Sequence, residues 1–166
     1  MEKLKNSQKM ATPEYYKSLS AKRMGSGALF FDAAGKILFV KPSYKEVWEI
    51  PGGVVELNES PRKGAEREIK EEIGLDKKIS TLLCVDYQDP YDIKTESLMF
   101  IFDGGVLSED EISSIKLDGK ELVEFKFATT DEMKEVLNPV LLRRVEQAVL
   151  ARDNKSCVYL ENRELI

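Results

Sequence analysis

The sequence contains no histidine and only two cysteines among its 166 residues. Without histidine, the chain has neither a Ser-His-Asp nor a Cys-His catalytic arrangement, and it has no histidine-ligated zinc site. Cys84 and Cys157 lie in separate, apolar, strand-like segments, so we expect two buried thiols rather than a disulfide framework or a thiolate zinc site. Acid–base and metal chemistry therefore rests on carboxylates, with lysine and tyrosine as lesser candidates.

Long apolar runs and an excess of basic residues are also missing. No segment is apolar over the length of a membrane span, and the N-terminus lacks the apolar centre of a signal peptide. The net charge is −5, so we do not expect a nucleic-acid partner bound through a basic face. With 42 % apolar and 33 % charged residues, the sequence indicates a soluble globular protein, and 166 residues suit one domain. The two isolated thiols indicate a cytoplasmic protein.

Apolar periodicity and turn residues predict the order of the secondary structure elements. We expect an α+β domain, an α/β/α sandwich in which a mixed β-sheet lies between helices. Gly104 and Gly105 in the longest strand predict a bulge or a close backbone contact. The predicted strands are 25–32, 36–41, 54–57, 79–87, 97–107, 121–128 and 157–160. The predicted helices are 13–21, 60–73, 129–137 and 138–151, with a short helical turn over 108–116.

The first 24 residues are polar and charged, and we separate them as an N-terminal arm from a domain over residues 25–166. The arm is either flexible or an element that packs on a partner subunit. The second interpretation leaves a homodimer open.

The most informative segment is a loop followed by a helix with unusually clear ends. Ser60 supplies a capping hydroxyl, and Pro61 suits the first helical position, where its missing N–H costs nothing. Gly74 marks the end, since glycine takes the left-handed conformation that follows a last turn. Between these signals, Ile69 and Ile73 extend an apolar stripe that we expect to face a core.

Three carboxylates of this helix, from Glu68, Glu71 and Glu72, project within roughly 100° of arc at the edge of the apolar stripe. Carboxylates this close repel one another unless a cation lies among them, and Mg²⁺ or Mn²⁺ prefers such oxygen ligands. Arg67 is placed to hold Glu59 or Glu71 by charge-assisted hydrogen bonds. The plainer alternative is a solvated acidic helix face.

Nine positions of this segment follow the pattern Gly-x5-Glu-x7-Arg-Glu-U-x-Glu-Glu-x-Gly-U, in which U is apolar. The segment resembles the Nudix box of MutT-like Nudix hydrolases, and no position departs from the pattern. The resemblance implies a Nudix fold, with a mixed sheet between helices and the box as a loop–helix–loop at one end of the sheet. The matching residues are Gly53, Glu59, Arg67, Glu68, Ile69, Glu71, Glu72, Gly74 and Leu75.

The same resemblance implies hydrolysis of the pyrophosphate bond of a nucleoside diphosphate linked to another moiety, with Mg²⁺ (or Mn²⁺) as cofactor. By resemblance, the carbonyl of Gly52 is a further metal ligand. The metal-binding and catalytic glutamates are Glu68, Glu71 and Glu72, and Glu59 and Arg67 are their supporting residues.

Six residues outside the box are candidates for contacts with a nucleotide-type substrate. Aromatic rings stack on bases, a lysine contacts phosphate, and an acid near a later strand serves as general base in some family members. An asparagine before the last helix resembles the base-reading asparagine of MutT-type enzymes, although a helix cap explains it fully. Each of the others also has a plainer interpretation as a packed or solvated side chain. The candidates are Lys41, Tyr44, Trp48, Glu121, Glu124 and Asn138.

Two classes of function follow. The first is an active pyrophosphohydrolase, and the second is a non-catalytic, nucleotide-binding regulatory Nudix domain. The complete set of box carboxylates favours the enzyme, since a domain that has lost catalysis usually loses some of them.

Overall fold

The computed structural model describes residues 12–162, except 80 and 118, together with residues 164–165. Residues 1–11 of the predicted arm thus lie outside the described part of the chain. The strands are β1 (Arg23–Phe31), β2 (Ile37–Pro42), β3 (Gly52–Val54), β4 (Leu82–Gln88), β5 (Ser97–Val106), β6 (Leu122–Ala128), β7 (Val158–Glu161) and β8 (Glu164–Leu165). The helices are α1 (Pro13–Ser18), α2 (Pro61–Ile73), α3 (Glu109–Ser113), α4 (Thr130–Val136) and α5 (Pro139–Asp153).

The described strands form one mixed sheet. Its order is β6-β2-β1-β5-β4-β7-β8, and β3 pairs with β1 beside this path. β1 runs parallel to β5, and β4 runs parallel to β7, whereas the other pairs are antiparallel. β1 is therefore central, and it reads as a nearly continuous apolar run because both of its faces are covered.

Helices cover both faces of the sheet, which confirms the predicted α+β class and the layered arrangement. Ala65, Ile69 and Ile73 of α2 are fully buried on one face, as the apolar stripe predicted. Val145 and Ala148 of α5 are buried on the other face. The two faces thus have separate cores, with the sheet between them.

Most element predictions agree with the structure, and two details are wrong. The strand expected at 54–57 lies instead at Gly52–Val54, where it pairs with β1, and Leu57 is 92 % exposed. Cys84 is buried as expected, and its burial raises the pKa of the thiol to about 12. Cys157, however, is exposed, because it precedes β7 where the chain is only entering the sheet.

The N-terminal segment is attached to the loop between β4 and β5 by polar contacts. α1 has no buried residue. After it, Lys22 makes a salt bridge with Glu96, and the guanidinium of Arg23 donates to the Oγ1 and the carbonyl of Thr95. None of the described helices is long and apolar enough to cross a membrane.

The predicted irregularity at Gly104 and Gly105 is a bulge between β1 and β5. The register shifts between Leu29 and Phe30 of β1, so that Leu29 pairs with Asp103 and Phe30 pairs with Gly105. Gly104 is left unpaired, with its Cα against the ring of Phe30. The missing side chain at Gly104 is therefore what lets the two central strands pack closely.

We expect Gly104→Ala to destabilise the protein by roughly 1–3 kcal/mol through overpacking. A Cβ on Gly104 would lie 2.5 Å from Cδ1 and 2.8 Å from Cζ of Phe30. Chemical denaturation of wild type, Gly104→Ala, Phe30→Leu and the double variant measures the effect. The two substitutions should be less than additive, because the smaller Leu relieves the contact. Strict additivity would show that the bulge does not depend on this contact.

Candidate active site

The predicted box helix is α2, and its ends form as the sequence signals indicated. The Oγ of Ser60 accepts a hydrogen bond from the N–H of Lys63 at 3.4 Å, and Pro61 occupies the first turn. At the other end, Gly74 has φ +74° and donates its N–H to the carbonyl of Lys70 at 3.1 Å. Because both ends of α2 are fixed, the positions of its carboxylates beside β3 are fixed as well.

Two glycines of β3 lie directly against these carboxylates. The N–H of Gly52 donates to Oε2 of Glu72 at 2.7 Å. A Cβ on Gly53 would lie 2.5 Å from the carboxyl carbon of Glu68, so only glycine leaves room for that group. The glycine pair is therefore in direct contact with the carboxylates of Glu68 and Glu72.

Burial and mutual repulsion raise the pKa of two of these carboxyl groups. Burial is the largest cause for Glu72, whose pKa rises to about 8 although the N–H of Gly52 opposes the shift. Burial also raises the pKa of Glu68, against the hydrogen bond from Arg67. The negative charge of Glu121 adds to both shifts. The site therefore stabilises a positive charge placed among these oxygens.

Arg67 is the cation that holds the loop and the helix together. Its Nε and Nη2 each donate to a carboxylate oxygen of Glu59 at 3.1 Å, and Nη2 also donates to the carbonyl of Val54 at 2.9 Å. Its Nη1 donates to Glu68 at 2.9 Å and to Glu71 at 3.0 Å. The hydrogen bonds to Glu59 are the largest cause of the raised pKa of Arg67.

The donor set fits a hard divalent cation, although the carboxylates do not yet converge on one point. Within the part of the chain that the structure describes, no three acidic or thiol side chains are grouped as a metal site. Glu68 and Glu71 are turned toward Arg67 instead. Still, every candidate ligand is an oxygen, two of the carboxyl groups have raised pKa values, and a glycine pair leaves the backbone accessible beside them.

A cavity of about 810 Å³ adjoins the box loop. At the box loop the lining includes Gly52, Gly53 and Glu59. At its other end, under α5, which packs on β4 three strand positions away from β3, the lining includes Asn138 and Arg144. This volume is typical of small-molecule sites.

The structure brings one of the two later acids to the carboxylates. Glu121 precedes β6, and its charge raises the pKa values of Glu68 and Glu72. Glu124 lies exposed on β6 with its Cα opposite that of Lys41. Glu121 is therefore the better placed of the pair, and a role for either stays a prediction.

The other substrate-contact candidates are dispersed. Nζ of Lys41 lies 3.7 Å from Oε2 of Glu46 in a salt bridge. Tyr44 is largely exposed, and the ammonium of Lys45 lies over its ring. Trp48 packs against the core on the α5 face. Of the six, Asn138 lines the cavity, and its Oδ1 caps α5 by accepting from the N–H of Leu141 at 2.9 Å.

Sequence reasoning missed a buried ion pair at the α5 end of the cavity. Arg144 is 7 % exposed and Asp86 is 0 % exposed, and two guanidinium nitrogens donate to Oδ2 of Asp86. A signal was present: Arg144 falls on the apolar stripe of α5, three residues after Leu141 and one before the buried Val145. A charged residue at such a position requires a partner from another element.

We expect Gly53→Ala to reduce turnover while the fold is kept. The new Cβ would contact the carboxylate of Glu68, which can swing aside at little cost in stability but leaves its position in the site. The loss should be on the order of 100-fold, since a misplacement of about 1 Å in an active site costs that much. Turnover and the melting temperature of the same preparation test this expectation.

Gly52→Ala is the matched control, because its Cβ would strike the backbone of Ser26 and Gly27, and because Gly52 has φ +146°. This variant should lose roughly 1–3 kcal/mol of stability or more. If Gly53→Ala lost as much stability and kept normal turnover per folded molecule, the glycine pair would be only a structural turn.

The raised pKa of Glu72 predicts a stability effect that depends on pH. The folded state holds this proton more tightly than the unfolded state, so the stabilisation is complete below about pH 4.5 and is lost as the pH rises to about 8. In metal-free buffer at pH 8, Glu72→Gln should thus be more stable than wild type, by on the order of 1–3 kcal/mol. The difference should vanish toward pH 5 in denaturation experiments.

The more exposed carboxylate of Glu71 supplies the control for this experiment. Glu71→Gln removes an ion pair with Arg67 and should not make the protein more stable than wild type at pH 8. A Glu72→Gln variant that gained nothing at pH 8 would show that the Glu72 carboxylate is not destabilised by its surroundings.

Comparisons with known proteins place this geometry in a family. A family model for the NUDIX domain matches residues 21–149. An RNA pyrophosphohydrolase from Hydrogenovibrio crunogenus is 29 % identical over 119 residues, which cover 63 % of this chain and 70 % of that protein. Diphosphoinositol polyphosphate phosphohydrolase 3-alpha from Mus musculus is 30 % identical over 116 residues, 69 % of this chain and 70 % of the mouse protein.

A solved structure agrees at the level of the fold. The MutT protein from Methanosarcina mazei Go1 superposes with a TM-score of 0.64 at 24 % identity, over 84 % of this chain and 100 % of that one. The matched range of the family model contains the box loop, α2 and most of α5, which carry the carboxylates and part of the cavity lining. The chain therefore belongs to the NUDIX family and is a Nudix hydrolase.

Proposed function

We propose that the protein hydrolyses the pyrophosphate bond of a nucleoside diphosphate linked to another moiety, with Mg²⁺ or Mn²⁺ as cofactor. One observation carries the proposal: the carboxylates of Glu72 and Glu68 pack against the glycine pair of β3, and these glycines line a cavity of about 810 Å³. The names of both relatives describe the hydrolysis of pyrophosphate or diphosphate compounds, which supports this reaction class.

In this proposal, the carboxylates of Glu68, Glu71 and Glu72 and the carbonyl of Gly52 hold the cation. When bound, a divalent cation there neutralises phosphate charge and activates the attacking water. To hold the cation, Glu68 and Glu71 would have to leave their hydrogen bonds with Arg67, whereas the two hydrogen bonds from Arg67 to Glu59 involve neither residue. Arg67 and Glu59 would therefore still fix the loop when the cation is bound.

The proton of the attacking water passes to a carboxylate near the glycine pair. Glu121 and the box glutamates are the candidates, because their charges already influence one another. The cavity beyond the glycines takes the rest of the substrate. Its apolar walls, from Ile50, Met99 and Leu141, suit a flat ring.

We expect Glu72→Gln to lower turnover by on the order of 10²- to 10³-fold, the range found when one electrostatic group is removed from an active site. The assay follows metal-dependent release of phosphate or nucleoside monophosphate from nucleoside triphosphates, ADP-ribose, nucleotide sugars and dinucleoside polyphosphates. The best substrate of this panel then serves to compare the variants.

Glu109→Gln is the control, since this glutamate is exposed in α3, away from the carboxylate site, and should leave turnover unchanged. Normal turnover of Glu72→Gln at saturating Mg²⁺ would refute the metal assignment. A protein that binds nucleotides of the panel but hydrolyses none would be the regulatory Nudix domain instead.

A further inference from the structure

The buried pair of Arg144 and Asp86 lies at the cavity end opposite the box glycines. Nε and Nη2 of Arg144 both donate to Oδ2 of Asp86, at 2.9 and 2.7 Å. Arg144 also lines the cavity, although it is only 7 % exposed. A buried arginine held on one side by a carboxylate has a fixed orientation on its other side.

The ion pair with Asp86 does not use Nη1, the remaining guanidinium nitrogen of Arg144. Nη1 makes no hydrogen bond to a described residue. In the same part of the chain, the Oγ of Ser26 is the only fully buried side-chain oxygen or nitrogen that lacks a partner. Nη1 is therefore not sealed off, and the cavity that Arg144 lines is the opening available to it. A ligand in the cavity could accept a hydrogen bond there.

The sheet separates Asp86, which holds this donor, from the glycines by about the length of an extended nucleotide, phosphate included. Three strand spacings separate β3 from β4, because β3 pairs with β1, β1 with β5 and β5 with β4. At roughly 4.8 Å per spacing, Asp86 lies about 14 Å from the glycine pair across the sheet. A phosphate at the glycines therefore leaves its attached ring near Arg144.

The side chains at the α5 end of the cavity favour a ligand with an uncharged hydrogen-bond acceptor. Arg144 offers N–H groups, and the amide nitrogen of Asn138 is a second donor because its Oδ1 is used in capping α5. The charge of Arg144 is compensated by Asp86, and Met99 and Leu141 add apolar surface. A ring carbonyl satisfies the donor, whereas an exocyclic amino group would leave two donors facing each other.

We propose that Arg144, oriented by Asp86, is a specificity-determining residue that donates from Nη1 to a ring carbonyl oxygen of the substrate. The orientation of the ligand, with phosphate at the glycines, rests on the proposed function. The substrate class is then a nucleotide whose base carries a carbonyl, such as hypoxanthine, guanine or uracil, in preference to adenine.

Binding of reaction-product analogues tests the assignment without requiring hydrolysis. The probes are the 5′-monophosphates of inosine and purine riboside, which differ by the 6-carbonyl, and those of uridine and 4-deoxyuridine, which differ by the 4-carbonyl. Titration calorimetry should show that wild type binds the carbonyl member of at least one pair at least about tenfold more tightly. Adenosine monophosphate should bind no better than the purine riboside compound.

Two variants remove the Nη1 group while the charge at this end stays balanced. Arg144→Lys keeps a cation for Asp86 but loses the guanidinium fork. Asp86→Asn with Arg144→Met removes both charges of this ion pair together, and it serves as the second variant if Arg144→Lys fails to fold. In both variants, the two nucleotides of each probe pair should bind with nearly equal affinity.

Arg152→Lys is the matched control on the same helix. Arg152 pairs with Asp103 of β5 at 3.1 Å, and neither residue lines the cavity. This variant should keep the wild-type ratio. The inference would be overturned if wild type bound both members of each pair with equal affinity, or if it bound none of the probes. It would also be overturned if folded Arg144 variants kept the wild-type affinity ratio. Discrimination without hydrolysis of any nucleotide would refute only the proposed function.

Discussion

The packing of β3 against α2 is the constraint on which the candidate site depends. The N–H of Gly52 holds the carboxylate of Glu72, and Gly53 leaves space for that of Glu68. β3 is itself fixed by pairing with β1, the central strand whose side chains fill both cores. The carboxylates lie at the edge of the core, but their contacts with β3 hold them in place because β3 is paired with the buried strand β1. Keeping the charged groups this close together lowers the stability of the protein, and the packing of the surrounding fold offsets that loss.

Local signals made the box helix predictable from the sequence. Ser60, Pro61 and Gly74 act on the backbone groups nearest to them, so their effect requires no knowledge of the rest of the fold. The apolar stripe and the contact of Arg67 with Glu71 followed from helical spacing, whereas its contact with Glu59 joins the helix to the preceding loop. The resemblance to the Nudix box added the fold and the sheet topology, which spacing could not supply.

The cavity was not predictable in the same way. Arg144 and Asp86 are 58 residues apart and meet only because α5 packs on the β4 side of the sheet. Whether Trp48 contacts a ligand or the core was likewise decided by tertiary packing, and it packs on the core. Pairings between distant segments depend on the complete fold, whereas capping and periodicity do not.

The difference between the two thiols gives the protein a natural attachment point. Thiolates react with alkylating reagents, and burial with a pKa near 12 keeps Cys84 protonated and inaccessible. Cys157 is exposed, and the next residue, Val158, pairs with Cys84, two positions before Asp86 on β4. A maleimide dye would therefore label one known position without any substitution. Its fluorescence would report on β7, the strand beside β4, while the carboxylate site stays unmodified.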